Sequence, residues 1–153
     1  MFSDEQTSNF DLEDLAQKYN LPLVGVYSKD ELPKKIQVGS YIINLQDSTE
    51  GCGSHWCLIK IFDKKNALWF DSFGQPFPLE VLHFLRHYKP VPYSNRQIQN
   101  IDSSRCGLYC IACDRYMSTI KRRNMLEQFD DFLNMFTGDT KKNDAILVDY
   151  LKH

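Results

Sequence analysis

Residues 55–73 constrain this chain's fold more than any other stretch. His55–Phe62 (HWCLIKIF) and Ala67–Phe73 (ALWFDSF) are β-branched and aromatic runs, separated only by the polar Asp63-Lys64-Lys65-Asn66. Two strands joined by so short a turn form an antiparallel hairpin. Folding it about Asp63–Asn66 sets the end that carries His55 beside the end that carries Asp71. A carboxylate then comes within reach of an imidazole.

The rest of the chain is read around that hairpin. Ser8 caps an N-terminal helix, with Asp11 as the acidic third residue of a capping box. Leu12, Leu15, Ala16 and Tyr19 recur at helical spacing, and Asn20-Leu21-Pro22 ends the helix. Residues 21–40 mix short apolar pieces with Pro22, Gly25, Pro33 and Gly39, and read as loop with brief extended segments. Tyr41–Leu45 is a strand, followed by the turn-forming Asp47–Gly53. Beyond the hairpin, Leu79, Leu82, Phe84, Leu85 and Tyr88 suit a helix with Pro78 in its first turn, ended by Pro90 and Pro92. Val91–Gln99 is extended. Helices follow from Cys106 to about Lys121, over Met125–Phe136, and after Gly138, the last capped by Asn143. Strands early and helices late predict an α+β fold, an antiparallel-rich mixed sheet packed with helices.

At 153 residues, with no repeat and no linker-like tract, one domain spanning residues 1–153 is expected. The net charge of −2 argues against nucleic acid as the default partner. No apolar run is long enough to span a bilayer. The opening MFSDEQTSNF lacks the basic and apolar regions of a secretory signal. The five cysteines, an odd set with no framework spacing, are therefore read as reduced thiols inside a cell.

Cys106 stands out among them. The polar stretch Asn100–Ser104 precedes it, and Gly107-Leu108-Tyr109-Cys110-Ile111-Ala112-Cys113 follows, so it sits where a helix begins. Unpaired backbone N–H groups and the positive end of the helix dipole favour a thiolate there, and the thiol pKa is expected to fall. A thiol nucleophile needs an imidazole to take its proton, and the imidazole needs an acceptor to fix its tautomer. Of the four histidines, His83 and His87 share a solvated helix face with Arg86 and Lys89, and His153 is the final residue. His55 opens a strand after the Gly51–Ser54 loop, with Asp71 across the hairpin. Each has a blander reading: His55 structural, Asp71 capping the Asp-Ser-Phe-Gly turn, Cys106 a small buried hydrophobe. Trp56 either packs on the imidazole or is simply a core aromatic.

The conjunction of these residues resembles the adenovirus-type cysteine proteases. It carries Gly53-Ser54-His55-Trp56, then Trp69-Phe70-Asp71-Ser72-Phe73-Gly74, then Gln99 seven residues before Cys106-Gly107-Leu108-Tyr109-Cys110. Gly25–Ser28, Leu32-Pro33 and Tyr41–Leu45 extend the likeness to about residues 20–117, most of all to the proteases of Polinton/Maverick transposons and virophages such as mavirus. The resemblance implies the adenain-like fold, shared with the ubiquitin-like-protein proteases of the papain-like superfamily. It also implies His55 as general base, Asp71 as its orienter, Cys106 as nucleophile, and Gln99 with the Cys106 backbone N–H as oxyanion donors. Gln97 is a rival to Gln99, at a spacing less like the family's. The implied activity is a maturation cysteine endopeptidase that cleaves capsid precursors beside small residues, in the host cytoplasm or the virion; a monomer is expected.

Asp71 stands where the adenovirus enzymes have Glu, a replacement also seen in the SUMO-protein proteases. The family's activators are a disulfide-linked peptide and DNA. Phe73–Arg105 contains no cysteine and the chain is slightly acidic, so no linked activator and at most weak nucleic-acid binding are expected. Lys121-Arg122-Arg123 reads as a solvated helix end. The alternatives are a deconjugating protease for SUMO or ubiquitin-like proteins, which usually spaces Gln six residues before Cys, and a non-catalytic binding module. A zinc reading rests on Cys52, His55 and Cys57, or on Cys106, Cys110 and Cys113. Zinc ligands normally come as loop pairs, so these cysteines read as core residues, and no metal or cofactor is expected.

Overall fold

The expected hairpin forms one half of a four-stranded sheet. Strand β3 (Trp56–Ile61) pairs antiparallel with β4 (Ala67–Phe70), Leu58 opposite Phe70 and Ile61 opposite Ala67. Its turn is closed by Asp63, whose Oδ1 accepts from the backbone N–H groups of Lys65 and Asn66, both at 2.8 Å. These contacts come from a computed structural model, which describes residues 7–46, 55–119 and 124–153. The expectations for Asp47–Ser54, including Cys52, and for Lys121–Arg123 lie outside the described residues.

β2 (Gly39–Asn44) lies antiparallel to β3, with Ile42 opposite Leu58, and β1 (Leu23–Ser28) runs parallel to β2 at the sheet edge. The order β1-β2-β3-β4 is the mixed, antiparallel-rich sheet expected. β1 is one of the extended segments expected within residues 21–40, here a six-residue strand. Its Gly25 marks a register shift against β2, between Leu23 and Gly25, and an edge strand accommodates such an irregularity where a central one does not.

The sheet is buried on both faces, which is why its strands read as nearly unbroken apolar runs. One face packs Tyr41, Ile43, Ile59, Ala67 and Trp69 under α2 (Leu79–Phe84) and the residues after it. Here the structure corrects the expected apolar stripe: Val81, Phe84, Leu85 and Tyr88 turn inward, whereas Leu79 and Leu82 are exposed. Pro78 is the N-cap rather than a first-turn residue. His83 and His87 lie on the exposed face, as expected.

The other face packs Ile42, Trp56, Leu58, Leu68 and Phe70 against α3 (Cys106–Thr119). Every residue of α3 from Cys106 to Asp114 is buried. A helix covered all round has to be apolar all round, which explains its unbroken Leu-Tyr-Cys-Ile-Ala-Cys text. Around it lie α1 (Asn9–Lys18), α4 (Met125–Leu133) and α5 (Asn143–Lys152). The capping box of α1 is present: Asp11 N–H donates to Ser8 Oγ at 3.2 Å, and Ser8 N–H to Asp11 Oδ2 at 3.0 Å. α4 stops at Leu133, short of Phe136, though Phe136 still packs edge-on against Phe132 at 5.4 Å. Lys142, not Asn143, is the N-cap of α5. No helix among the described residues is long and apolar enough to cross a membrane.

One charged pair is enclosed in the α3 face. Lys60 Nζ lies 2.7 Å from Asp114 Oδ1 and donates to Ser118 Oγ at 2.9 Å. Ser40 Oγ donates to the same Asp114 oxygen at 2.6 Å. Two strands and the central helix are thereby tied together by groups that are almost wholly shielded from water.

Candidate active site

β3 and β4 end the hairpin at the place where α3 begins. His55 immediately precedes β3, and Asp71 immediately follows β4. His55 Nε2 lies 2.7 Å from Asp71 Oδ1, as the hairpin geometry predicts. Asp71 also performs the turn role weighed against it: its Oδ1 accepts from Phe73 N–H at 2.8 Å, and Gly74 N–H returns to its backbone carbonyl. The two readings are compatible because one carboxylate oxygen has lone pairs enough for both. Gly74 has φ +75°, and a Cβ there would lie 2.8 Å from backbone carbons of Asn95 and Arg96. The turn therefore needs glycine to let the segment leading to Gln99 pass close by.

Cys106 opens α3, as expected, and is almost wholly buried. Trp56 N–H donates to its sulfur at 3.4 Å, so the strand that follows His55 also holds the thiol. Gly107 permits the close packing beyond it: a Cβ there would stand 2.9 Å from Leu12 Cδ2 and 3.1 Å from Thr7 Cβ.

The His55 ring is largely buried, which alone disfavours its charged form. The hydrogen bond to Asp71 and then the pairing with Cys106 outweigh that burial and raise its pKa from 6.5 to about 9. Nε2 is engaged by Asp71, and the other ring nitrogen, Nδ1, is buried. The aromatic packed on the imidazole is Phe73, with ring centroids 4.7 Å apart and planes at 36°. Trp56 belongs to the core on the α3 face, and its Nε1 donates to the Thr7 carbonyl at 2.9 Å. Of its two expected roles, the core one holds.

Gln99 is brought to the same place. Backbone N–H groups of Ile98 and Gln99 both donate to the Ser72 carbonyl, at 2.9 and 3.1 Å. The Gln99 side chain is buried, with Oε1 accepting from Ser72 Oγ and Nε2 donating to the Ser103 carbonyl at 2.9 Å. One amide proton is thus committed and one is left to donate. Gln97 is the more exposed of the two, and its Nε2 donates to the Gln99 carbonyl at 3.0 Å.

Several residues that support the site carry no local signature. Asp144 of α5 accepts from Ser103 Oγ at 2.9 Å and from Tyr109 Oη at 2.9 Å, and lies 3.7 Å from Arg105 Nε. Asn143 Nδ2 donates to the Ile98 carbonyl at 2.8 Å, and its Oδ1 accepts from Thr137 N–H at 2.8 Å. Asn100 Nδ2 reaches Thr140 Oγ1 at 3.0 Å. The loop between Gln99 and Cys106 is therefore held from its far side by the segment around α5. Ser72, Phe73, Asn143 and Asp144 are the functional neighbours that sequence reasoning does not find.

No family model and no curated protein sequence matches the chain. Solved structures do. The ASFV pS273R protease superposes with a TM-score of 0.59 and 13% identity, covering 99% of this chain and 67% of that one. Its selenomethionine form gives 0.57, with 13% identity and coverage of 99% and 68%. The central domain of the uncharacterized Lpg1148 protein from Legionella pneumophila gives 0.51, with 13% identity and coverage of 97% and 94%. This chain shares their fold. It is a mixed α+β fold, a four-stranded sheet flanked by helices.

Proposed function

We propose that this chain is a cysteine endopeptidase in which Cys106 is the nucleophile, His55 the general acid and base, and Asp71 the orienter. The observation that carries the reading is the meeting of three groups from separate segments. Asp71 lies 2.7 Å from His55 Nε2, and the thiol at the start of α3 sits against the first residue of β3. A scaffold without chemistry has no need to enclose an imidazole between a carboxylate and a thiol.

The steps follow from that arrangement. The Cys106 proton passes to His55, and the thiolate attacks the peptide carbonyl carbon to form a C–S bond. The carbonyl oxygen takes the electron pair as an oxyanion, where the Cys106 backbone N–H and the second Gln99 amide proton are the donors. Collapse breaks the C–N bond, and imidazolium returns its proton to the leaving amine. Water, deprotonated by His55, then cleaves the thioester and regenerates the thiol. Asp71 holds the ring and its charge throughout.

The substrate class is read from the sequence motifs and from the viral protease that shares the fold. It is a capsid or virion precursor polypeptide, cut inside the host cell or the assembling particle, by an enzyme of the Polinton and virophage kind. The test is cleavage of a diverse peptide library, read by mass spectrometry, with the Cys106→Ala protein as control. Cysteine-dependent cuts clustered beside Gly or Ala support the reading. Cuts equal to the control, with Cys106 failing to react with a thiol probe at mildly acidic pH, overturn it. A reactive Cys106 that ignores peptides but releases ubiquitin-like modifiers turns the assignment to the deconjugating class.

A further inference from the structure

Cys57 is a second thiol at this site, and the peptidase chemistry does not use it. It is one residue into β3, wholly buried, and packed with the α2-side core rather than with α3. Its sulfur, His55 nitrogen and the Asp71 carboxylate all lie within 4.8 Å of one another. The donor set combines a soft sulfur, an imidazole and a carboxylate on a rigid hairpin.

We propose that His55 Nε2, Cys57 Sγ and the Asp71 carboxylate form an inhibitory site for a thiophilic divalent cation, zinc above all. Thiolate and imidazole select zinc and its neighbours over magnesium or calcium, which take oxygen ligands. With Cys57 as thiolate and Asp71 as carboxylate, two negative charges offset the two positive charges of the ion. That balance is what a nearly dry pocket requires. Tetrahedral zinc, with bonds of about 2.0–2.3 Å, sets its ligand atoms roughly 3.3–3.8 Å apart. The present spacing reaches that geometry when the outer separation closes by about an ångström and the 2.7 Å His55–Asp71 pair opens slightly. The fourth position falls to water, the arrangement of an open zinc site. His55 is the most exposed of the three, its side chain 14% exposed where that of Asp71 is 1%.

Binding leaves the hairpin in place and removes its chemistry. A cation on Nε2 takes that nitrogen from Asp71, and the ring can no longer become the imidazolium that returns a proton to the leaving amine. The inhibitory role rests on the peptidase reading, but the metal site does not.

Cobalt(II) titration of chelator-stripped full-length protein tests the site without substrate, through the thiolate-to-cobalt absorption band and the visible bands of tetrahedral cobalt. The expected result is a 1:1 band in wild type that persists in Cys106→Ala. In Cys57→Ala, affinity falls by roughly a hundredfold or more, since even outer-shell partners of a ligand are worth tenfold to a hundredfold. Should Cys57→Ala not fold, His55→Ala and Asp71→Asn in the Cys106→Ala background give the same weakening. Absence of a band in wild type overturns the site, as does a band lost in Cys106→Ala or kept in Cys57→Ala. Zinc added to a peptide-cleaving preparation is expected to abolish turnover reversibly, with recovery on chelation. Zinc that binds at Cys57 and leaves cleavage intact overturns the inhibitory role. A preparation that cleaves no peptide but gives the cobalt band counts against the peptidase and in favour of the site.

Discussion

Asp71 Oδ1 is shared between the His55 ring, at 2.7 Å, and the Phe73 backbone N–H, at 2.8 Å. The oxygen that orients the imidazole is thus itself oriented by the turn that ends its strand. This coupling of turn and side chain makes the His55–Asp71 distance a property of the hairpin rather than of two free rotamers.

The raised His55 pKa sets a pH limit. In metal-free protein the folded state binds the imidazole proton more tightly than the unfolded chain, whose value is 6.5 against about 9 when folded. The resulting stabilisation is complete below pH 6.5 and is lost as pH rises through about 9. Thermal melts from pH 6 to 10 are expected to show that decline, and kcat/KM is expected to fall along an alkaline limb near pH 9. Asp71→Asn removes the charge that supports the imidazolium and leaves only the pairing with Cys106 to oppose burial. Its alkaline limb moves to lower pH, and kcat/KM drops by about a hundredfold or more. An unchanged limb in Asp71→Asn contradicts the assignment.

Gln99 is expected to act on the transition state alone. Gln99→Ala should lower kcat by about a hundredfold or more, the cost of one oxyanion donor, with KM little changed. Ser72→Ala should have a smaller effect of the same kind, because Gln99 Nε2 stays tied to the Ser103 carbonyl. Gln97→Ala should be nearly silent. Steady-state kinetics on one peptide distinguishes all three.

Asp144→Ala leaves Ser103 Oγ and Tyr109 Oη without their acceptor. Loss of such bonds costs about 1–3 kcal/mol of stability. Loosening the loop before Cys106 should lower kcat/KM by about tenfold to a hundredfold. Urea unfolding and kinetics measured on the same preparation check both. A stability loss with full activity would show that the clamp does not position the nucleophile.

Lys60 and Asp114 are expected to be far more sensitive singly than together. Asp114→Ala strands an ammonium that is nearly buried, at a cost of about 3–5 kcal/mol. The double variant Lys60→Met, Asp114→Leu removes both charges and should cost less than either single change. A double-mutant cycle in urea measures the coupling.

How much of this was legible depends on how local each feature is. The hairpin could be read because two strand runs and their turn are contiguous, and that contiguity alone places His55 beside Asp71. The start of α3 could be read because a polar stretch gives way to an apolar one at Cys106. β1 was legible only as a brief extended segment because Pro22 and Gly25 carry loop signals, while its pairing with β2 is supplied by tertiary contact. Phe73, rather than Trp56, covers the imidazole because successive strand residues point to opposite faces, and the end of the strand decides which face the ring meets. Asn143 and Asp144 were hidden most deeply. Asn143 bonds Ile98 and Asp144 bonds Ser103 across more than 40 positions, with no motif in between.

That long-range clamp has a consequence for timing during biosynthesis. The hairpin with His55 and Asp71 is built from contiguous residues, so both of its strands are made early. The bonds that Asn143 and Asp144 make to the segment between Ile98 and Cys106 form only after α5 has been made. Domains fold as they emerge, from the N-terminal side first. A nascent chain that stops short of α5 therefore lacks the bonds from Asn143 to the Ile98 carbonyl and from Asp144 to Ser103. The loop before Cys106 therefore gains its last bonds late, after the residues of the hairpin that carries His55 and Asp71 have already emerged.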